Sequence, residues 1–375
     1  MTKRKKSLEL RVIFDTSAIY TGSASDLLRK EILDIIVNYS KLPDLEINWY
    51  LPEIVVEERR FQMNKRGKEF LPQIIKLEKL LGHNLNITED IIQTRVNETI
   101  QRQINNNRIQ EIKIDPDKIN WKQLISNSTN RVPPFEDGEK EKGFRDALII
   151  ECVQHLIDES PTTSNICRLA FLSSDSLLLD AARDRFGHCA NFRLCGTIEE
   201  LTSLINILTS EIKEELINSI SETASNIFFV KEDNSSLYYK EGIRKTISEK
   251  FSSELNTLPE SATRREEGTW WINKPGFVKK VGQRIYWKSI VEIDSKTFKT
   301  TYSAPTTQPS FDIFNKPQTN TIQDIFSKIA SGIKEETVKE GKSKIEVLWS
   351  VTLTTSKQLK NPKVEDINFV ETVWK

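Results

Sequence analysis

The sequence predicts an α/β fold with a parallel sheet covered by helices on both faces, followed by a smaller α+β domain. Short apolar runs alternate with helical periodicity from residue 8 to about residue 226. Strands joined by crossover helices produce that alternation. Two later segments alternate apolar and polar residues, as half-buried antiparallel strands do. A chain of 375 residues is also long for a single core, so we expect domains at 1–225 and 226–375.

The elements of the first domain follow from the spacing of its apolar residues. Four buried strands are predicted, at 8–14, 47–51, 168–172 and 191–195. Helices are predicted at 26–40, 53–81, 144–157, 176–185 and 197–221. The polar, Asn-rich segment at 82–132 has helical spacing, and we expect a helical insertion that projects from the rim of the sheet as a lid.

The second domain is predicted from its strands and its tryptophans. Strands are expected at 284–294 and 344–354, with Trp287 and Trp349 in the core, and helices at 240–255 and 321–333 around a loose stretch at 303–321. Trp270 and Trp271 are adjacent, so on a strand they point to opposite faces, and one of them is expected to be exposed on a surface that binds a partner.

Composition narrows the classes of function. The 54 basic and 54 acidic residues balance, which neither demands nor excludes a polyanionic partner. No run approaches the roughly 18 apolar residues of a membrane span, and no apolar signal segment follows the basic N-terminus, so we expect a cytoplasmic protein without a membrane partner. The four cysteines lack CxxC spacing and are expected to be reduced core residues. The three histidines are isolated, which argues against a histidine triad.

Acidic residues follow the strands at the edge where open parallel sheets bind ligands. Asp15 comes directly after the first strand and Asp175 shortly after the third. Glu57 and Glu58 lie early in the helix after the second strand, and Asp146 lies near the start of the helix at 144–157. Asp15 and Asp175 taken singly could also simply cap the following helix.

Carboxylates that converge without neutralising lysines repel one another unless a cation lies between them. Hard divalent cations such as Mg²⁺ or Mn²⁺ prefer oxygen ligands of this kind. Such ions support phosphodiester hydrolysis by activating water and stabilising the leaving oxygen. The sequence therefore predicts a site for Mg²⁺ or Mn²⁺ in a hydrolase.

Four short motifs together resemble the PIN-domain nucleases, specifically a bacterial PIN-like group of the domain-of-unknown-function type. They are Phe-Asp-Thr-Ser-Ala at 14–18, Leu-Pro-Glu-Ile-Val-Val-Glu-Glu at 51–58, Lys-Gly-Phe-Arg-Asp-Ala-Leu-Ile at 142–149 and Phe-Leu-Ser-Ser-Asp at 171–175. The resemblance covers residues 8 to about 200. It implies a three-layer α/β/α fold and a metal-dependent endonuclease, with RNA favoured over DNA as substrate.

The resemblance also implies roles for individual residues. Asp15, Glu58, Asp146 and Asp175 look like the catalytic metal ligands, with Glu57 as an alternative to Glu58 and Glu151 as a further candidate. Thr16 or Ser17, and Ser173 or Ser174, would orient carboxylates or water.

A basic cluster that includes Arg59 and Arg60, together with Lys142 and Arg145, would bind substrate phosphates, or would be an ordinary solvated surface.

One departure from the family pattern keeps a second function open. Many relatives carry Asp or Asn two positions after the fourth acid, where this chain has Leu177. Leu177 makes an inactive PIN-like module that binds nucleic acid or acts as a scaffold one alternative, and a DNA-cleaving enzyme is the other. The C-terminal domain is a candidate for binding a protein partner or a second copy of the chain. Relatives of this kind often serve bacterial stress responses or antiviral (phage) defence.

Overall fold

The structure is a computed structural model that describes residues 8–42, 44–136, 142–210, 214–302, 333–354 and 357–374. The chain divides into two units, Met1–Thr209 and Ser210–Lys375. None of the helices in the described ranges combines the length and the apolar character needed to cross a bilayer.

The first unit alternates strands and helices. Its elements are β1 (Leu8–Phe14), α1 (Thr16–Ile19), α2 (Lys30–Asn38), β2 (Leu45–Pro52), α3 (Glu53–Lys68), α4 (Leu71–Leu81), α5 (Glu89–Asn106), β3 (Gln110–Ile112), a 3₁₀ turn (Pro116–Lys118), α6 (Trp121–Thr129), α7 (Phe144–Asp158), β4 (Cys167–Leu172), α8 (Ser176–Phe186), β5 (Phe192–Cys195) and α9 (Ile198–Thr209).

The five strands form one parallel sheet in the order β3-β2-β1-β4-β5. β1 is the central strand and pairs with both β2 and β4. The strand order therefore changes direction at β1, with β2 and β3 on one side of it and β4 and β5 on the other. Apolar side chains of β1 such as Leu10 and Phe14 are fully buried. The predicted parallel sheet with flanking helices is therefore confirmed. Three of the four free cysteines, at 152, 167 and 195, are buried as expected, and Cys189 is half-buried.

The segment at 82–132 contains the helices α5 and α6, in keeping with a helical insertion, and it also contributes to the core and to the sheet. Its helix α5 buries Val96, Ile100 and Ile104 in the main core. Residues Gln110–Ile112 then pair with Tyr50–Pro52 and add β3 to the sheet. The segment is part of the domain's framework, because its apolar stripe packs inward.

Two predicted helices are each a pair of helices. The stretch at 53–81 is divided into α3 and α4, with Pro72 in the first turn of α4 where its missing N–H costs nothing. The stretch at 197–221 contains the end of α9 at Thr209 and the start of the next helix at Glu214.

The second unit combines short helices with an antiparallel sheet. Its elements are α10 (Glu214–Phe228), α11 (Leu237–Lys240), α12 (Ile243–Lys250), α13 (Ser252–Leu255), β6 (Arg264–Ile272), β7 (Gly276–Val281), β8 (Arg284–Tyr302), β9 (Ile333–Leu353) and β10 (Leu359–Trp374). The sheet order is β10-β9-β8-β6, and β7 also pairs with β8. The predicted loose stretch at 303–321 and the predicted helix at 321–333 lie outside the described residues except for Ile333, which begins β9.

The tryptophans of this unit divide between core and surface. Trp287 and Trp349 are buried and stacked, with ring centroids 6.2 Å apart, which confirms their predicted place in the core. On β6, the guanidinium of Arg244 lies over the Trp270 ring, whereas Trp271 is 52% exposed and its Nε1 donates to Asp294. One of the adjacent pair is thus exposed, as the alternation of a strand requires.

Candidate active site

Because β1 and β4 are neighbours at the point where the strand order changes direction, the segments that follow these two strands lie next to each other. Phe14 and Leu172 are opposite each other in the β1–β4 register, and the Asp15 backbone N–H donates to the Leu172 carbonyl at 3.0 Å. The residues that follow each strand therefore lie side by side at the carboxyl edge of the sheet. Ligands of open α/β sheets bind at such reversal points.

Asp15 is held rigidly at this edge. It is 3% exposed, and its Oδ2 accepts hydrogen bonds from Ser17 N at 3.1 Å, Ser17 Oγ at 2.6 Å and Ser173 Oγ at 2.9 Å. A buried carboxylate needs such donors because it has lost its water. The described hydrogen bonds all reach Oδ2, so they fix the direction in which Oδ1 points.

Glu58 and Glu57 point in different directions from α3. Glu58 Oε2 accepts from Thr16 Oγ1 at 2.8 Å, its Oε1 pairs with the Arg145 guanidinium, and its side chain is 15% exposed. Glu57 forms an ion pair with Arg60 on the helix surface. The structure therefore brings Glu58, not Glu57, to the residues that follow β1.

Asp146 lies in the first turn of α7 and interacts with the other three acids. Burial, which is the largest cause, and the negative charges of Asp15, Asp175 and Glu58 together raise its pKa to about 6, while Arg145 opposes them. Carboxylates influence one another in this way only at short range. All four predicted acids thus share one electrostatic environment.

Asp175 caps α8 and remains exposed. Its Oδ1 accepts from Leu178 N at 3.0 Å, and its own N–H donates to Ser173 Oγ at 3.0 Å. Ser173 is fully buried and so links the two aspartates, while the Ser174 N–H donates to Ser17 Oγ at 2.9 Å. Asp175 can cap the helix and also belong to the acidic site, because only its Oδ1 accepts the capping hydrogen bond.

Glu151 and Arg59 are not part of this cluster. Glu151 is buried and forms a two-pronged ion pair with Arg185. Arg59 has no exposed surface, and its guanidinium donates to the carbonyls of Asp26 at 2.8 Å and Leu27 at 3.2 Å. The prediction that Arg59 binds phosphate is therefore wrong, because a fully buried guanidinium that holds a loop cannot meet a substrate.

The remaining basic candidates are at the surface and already paired. Arg60 pairs with Glu57, and Lys142 lies 2.9 Å from Glu136. Arg145 is 60% exposed and pairs with Glu58, so among these candidates it is the cation that contacts the acidic cluster.

Gly143 is a residue that the sequence analysis passed over. It is the N-cap of α7 with φ of +103°, and a Cβ at this position would lie 2.3 Å from the Pro134 carbonyl oxygen. Only glycine fits such a backbone without strain. It sets where α7 begins, three residues before Asp146, and its place directly before the predicted helix is the signal that could have revealed it.

The donors suit a hard divalent cation, although they do not form a closed cage. Within the described ranges, no three Asp, Glu, His or Cys side chains converge as a formed metal site. Asp15 is held by serines, and Glu58 by Thr16 and Arg145. The chemistry of the set, four carboxylates and one pairing cation, still fits Mg²⁺ or Mn²⁺.

Comparison with protein families agrees with this geometry. The model of the PIN domain family matches residues 12–177, a range that contains all four acids. No significant match to the chain was found among curated proteins or among solved structures. PIN domains have a nuclease-type fold. Residues 12–177 of this chain are therefore a PIN domain.

Proposed function

We propose that the PIN domain is a metal-dependent endonuclease that hydrolyses RNA phosphodiester bonds. The observation that carries the proposal is Asp146, whose carboxyl has its pKa raised to about 6 by burial and by three neighbouring carboxylates. An edge that concentrates negative charge in this way favours a bound cation. Perturbed carboxyls in a crevice are also typical of catalytic sites.

Asp15, Glu58, Asp146 and Asp175 would hold the metal, Mg²⁺ or Mn²⁺. When bound, such an ion supplies a nucleophilic water at neutral pH and stabilises charge on the phosphodiester oxygens. Ser17 and Ser173 orient Asp15, and Thr16 orients Glu58. Each hydrogen bond fixes a carboxylate in advance, which lowers the cost of arranging it during the reaction.

In this proposal Arg145 can pair either with Glu58 or with a substrate phosphate. In the structure it neutralises Glu58, and its side chain is 60% exposed. If Glu58 held a cation, the Arg145 guanidinium would be available to contact a substrate phosphate, for which its planar donors are well suited. Lys142, which is exposed just before α7, would add positive charge for the same nucleic-acid strand.

RNA is proposed over DNA on the family resemblance alone, and a role in bacterial stress or phage defence has the same support. An inactive nucleic-acid-binding or scaffold module is the second candidate. It is favoured by Leu177, which is 37% exposed in the first turn of α8 where relatives carry another polar ligand. It is also favoured by the absence of a closed metal cage within the described residues.

Cleavage assays on the full chain separate these candidates. Labelled single-stranded RNA and DNA are incubated with Mn²⁺, with Mg²⁺ or with EDTA, using wild type, Asp146→Asn and Asp158→Asn. Asp158 is exposed at the other end of α7, so its variant is a matched control. We expect metal-dependent RNA cleavage that Asp146→Asn reduces at least about 100-fold and Asp158→Asn leaves intact. Equal cleavage by Asp146→Asn and wild type would refute the assignment, and binding without cleavage in any metal would support the inactive module.

The second unit is proposed to bind a protein partner or a second copy of the chain. Its support is the exposed indole of Trp271 on β6, since large exposed aromatic side chains are enriched at interfaces. Light scattering of wild type and Trp271→Ser tests self-association. If both proteins have the mass of a single chain, self-association is excluded and binding to a different protein remains.

A further inference from the structure

A second candidate site lies on one face of the parallel sheet, away from the acids. A cavity of about 630 Å³ opens between β1, β2 and β3 and the C-terminal end of α7. Arg11, Tyr50 and Gln110 contribute from the strands, and His155 contributes from the helix. Arg11 precedes Phe14 by three residues, so the cavity begins about 10 Å along β1 from the carboxyl edge.

One buried polar side chain of this cavity lacks hydrogen-bond partners among the described residues. His155 is 5% exposed, and neither of its ring nitrogens has a partner there. Tyr50, which is 7% exposed, lines the same cavity. Burying a polar group without a partner is unfavourable, so a ligand that bonds to the His155 imidazole is favoured.

The charges around the cavity are already balanced. Arg11 lies 2.8 Å from Glu9, Lys113 lies 2.7 Å from Glu111, and Lys118 lies 3.5 Å from Asp115. Each cation therefore has its own carboxylate, which leaves no surplus positive charge for a bare anion. The ligand indicated by this lining is neutral and polar.

The polar side chains outside these ion pairs indicate which hydrogen bonds the ligand makes. The Tyr50 hydroxyl, the Gln110 amide and the His155 imidazole can each donate and accept a hydrogen bond. A nucleobase carries donors and acceptors along its planar edges and can bond to such a set of side chains. A volume of about 630 Å³ holds a base with its sugar.

We propose that this cavity binds a nucleobase, held by Tyr50, Gln110 and His155. The inference deepens the proposed function, because it takes from that function that the ligands of the domain belong to nucleic-acid chemistry. The base could belong to an RNA strand or to a free nucleoside, and the same contacts would recognise either. In an RNA strand it would give the enzyme a preference for one base at a fixed distance from the cleaved bond.

Titration of the full chain with nucleosides tests the cavity. Adenosine, guanosine, cytidine, uridine and inorganic phosphate are each titrated in EDTA, with calorimetric or ligand-observed NMR detection. We expect one nucleoside to bind with a Kd of about 0.1–1 mM and phosphate not to compete with it. Tyr50→Phe and Gln110→Ala should each weaken binding about fivefold to tenfold. Gln110 is exposed, so its variant does not disturb the core.

Tyr39→Phe is the matched control for Tyr50→Phe. Tyr39 donates to Asn206 at 3.2 Å and does not line the cavity, so its loss should leave nucleoside binding unchanged. Absence of saturable binding by all four nucleosides at about 10 mM would overturn the proposal. So would binding that Tyr50→Phe and Gln110→Ala leave unaltered, or competition by phosphate at the same concentration as the nucleoside.

Two further arms identify the source of the base and keep the proposals separate. Homopolymer RNAs of about 12 nucleotides are bound to Asp146→Asn with and without Tyr50→Phe. A loss confined to one homopolymer assigns the base to the RNA strand, and a loss seen only with free nucleoside assigns it to a small molecule. Cleavage without nucleoside binding removes the cavity proposal alone, whereas nucleoside binding by a chain that never cleaves removes the proposed activity alone.

Discussion

Thr16 and Glu58 are separated by 42 residues, and the Thr16 hydroxyl donates to Glu58 Oε2 at 2.8 Å. This bond joins the first turn after β1 to the second turn of α3. The other Glu58 oxygen pairs with Arg145 from α7. Glu58 is thus oriented by two different elements, one through a neutral donor and one through a charge.

Replacing Thr16 by Val should weaken the site with little change in shape. The variant keeps the branched side chain but cannot donate to Glu58, so the carboxylate is oriented by Arg145 alone. We expect cleavage to fall about 10-fold to 100-fold, with a higher Mn²⁺ concentration needed for half-maximal rate. Initial rates across a Mn²⁺ series measure both quantities. Thr16→Ser keeps the donor and should stay close to wild type; equal rates for Val and Ser variants would contradict the role.

Asp146→Asn should stabilise the metal-free chain at neutral and alkaline pH. The folded state raises the pKa of Asp146 from 3.8 to about 6, so ionisation is disfavoured in the folded protein. Wild type therefore loses stability as the pH rises from about 4 through 6, and the Asn variant does not. Since the group is partly exposed, we expect a gain of about 1–2 kcal/mol at pH 8.

Denaturation in EDTA at several pH values measures whether Asp146→Asn is more or less stable than wild type. The difference between Asp146→Asn and wild type should vanish below about pH 3, where the Asp146 carboxyl is neutral in both the folded and the unfolded chain. Added Mn²⁺ should then stabilise wild type more than the variant, because the ion binds the folded carboxylates. A variant less stable than wild type at pH 8 in EDTA would show that Asp146 experiences no net repulsion.

The sheet could be predicted from sequence wherever a strand is apolar along its length. β1 and β4 end in continuous buried runs, at 12–14 and 169–172, and the segments that follow them place Asp15 and Asp175 together. β3 could not be predicted in this way, since it has three residues and only Ile112 is buried. Its strand conformation comes from pairing with β2, a tertiary contact that leaves almost no local pattern.

The acids were identifiable in sequence, but their partners were not. Neighbouring residues on a helix point about 100° apart, so the choice between Glu57 and Glu58 depends on how α3 packs. Arg59 shows the opposite case, because it lies four residues after Val55 and four before Met63, both buried. That spacing was a signal for burial, which its positive charge obscured.

Arg59→Lys should destabilise the PIN domain substantially. The guanidinium bonds two backbone carbonyls and the Gln62 side chain and lies 5.2 Å from the Tyr20 ring, and a lysine cannot reproduce this planar set of donors. We expect a loss of about 2–4 kcal/mol in the free energy of unfolding. Arg66→Lys, at an exposed position of the same helix, should change it by less than about 0.5 kcal/mol. Chemical denaturation compares the two, and similar values would mean that Arg59 does not hold the loop at Asp26 and Leu27.

Gly143→Ala should affect both stability and cleavage, because this residue sets the start of α7. With φ at +103°, an added Cβ would lie 2.3 Å from the Pro134 carbonyl oxygen and 2.7 Å from the Phe135 Cα, and backbone at such distances must move. Gly143 O also accepts the first helical bond, from Ala147 N at 2.8 Å, so a shift of the glycine carries the first turn and Asp146 with it.

We expect Gly143→Ala to cost about 2 kcal/mol or more of stability. Cleavage should fall further than the loss of folded protein accounts for, since misplacing one carboxylate by about 1 Å is enough to slow a reaction 100-fold. Gly22→Ala is the matched control, because a Cβ there meets nothing within 4 Å. Rates are corrected for the folded fraction measured by thermal denaturation. If Gly143→Ala cleaved at the wild-type rate per folded molecule, the position of Asp146 would not depend on where α7 begins, and the strain at this cap would be purely a matter of stability.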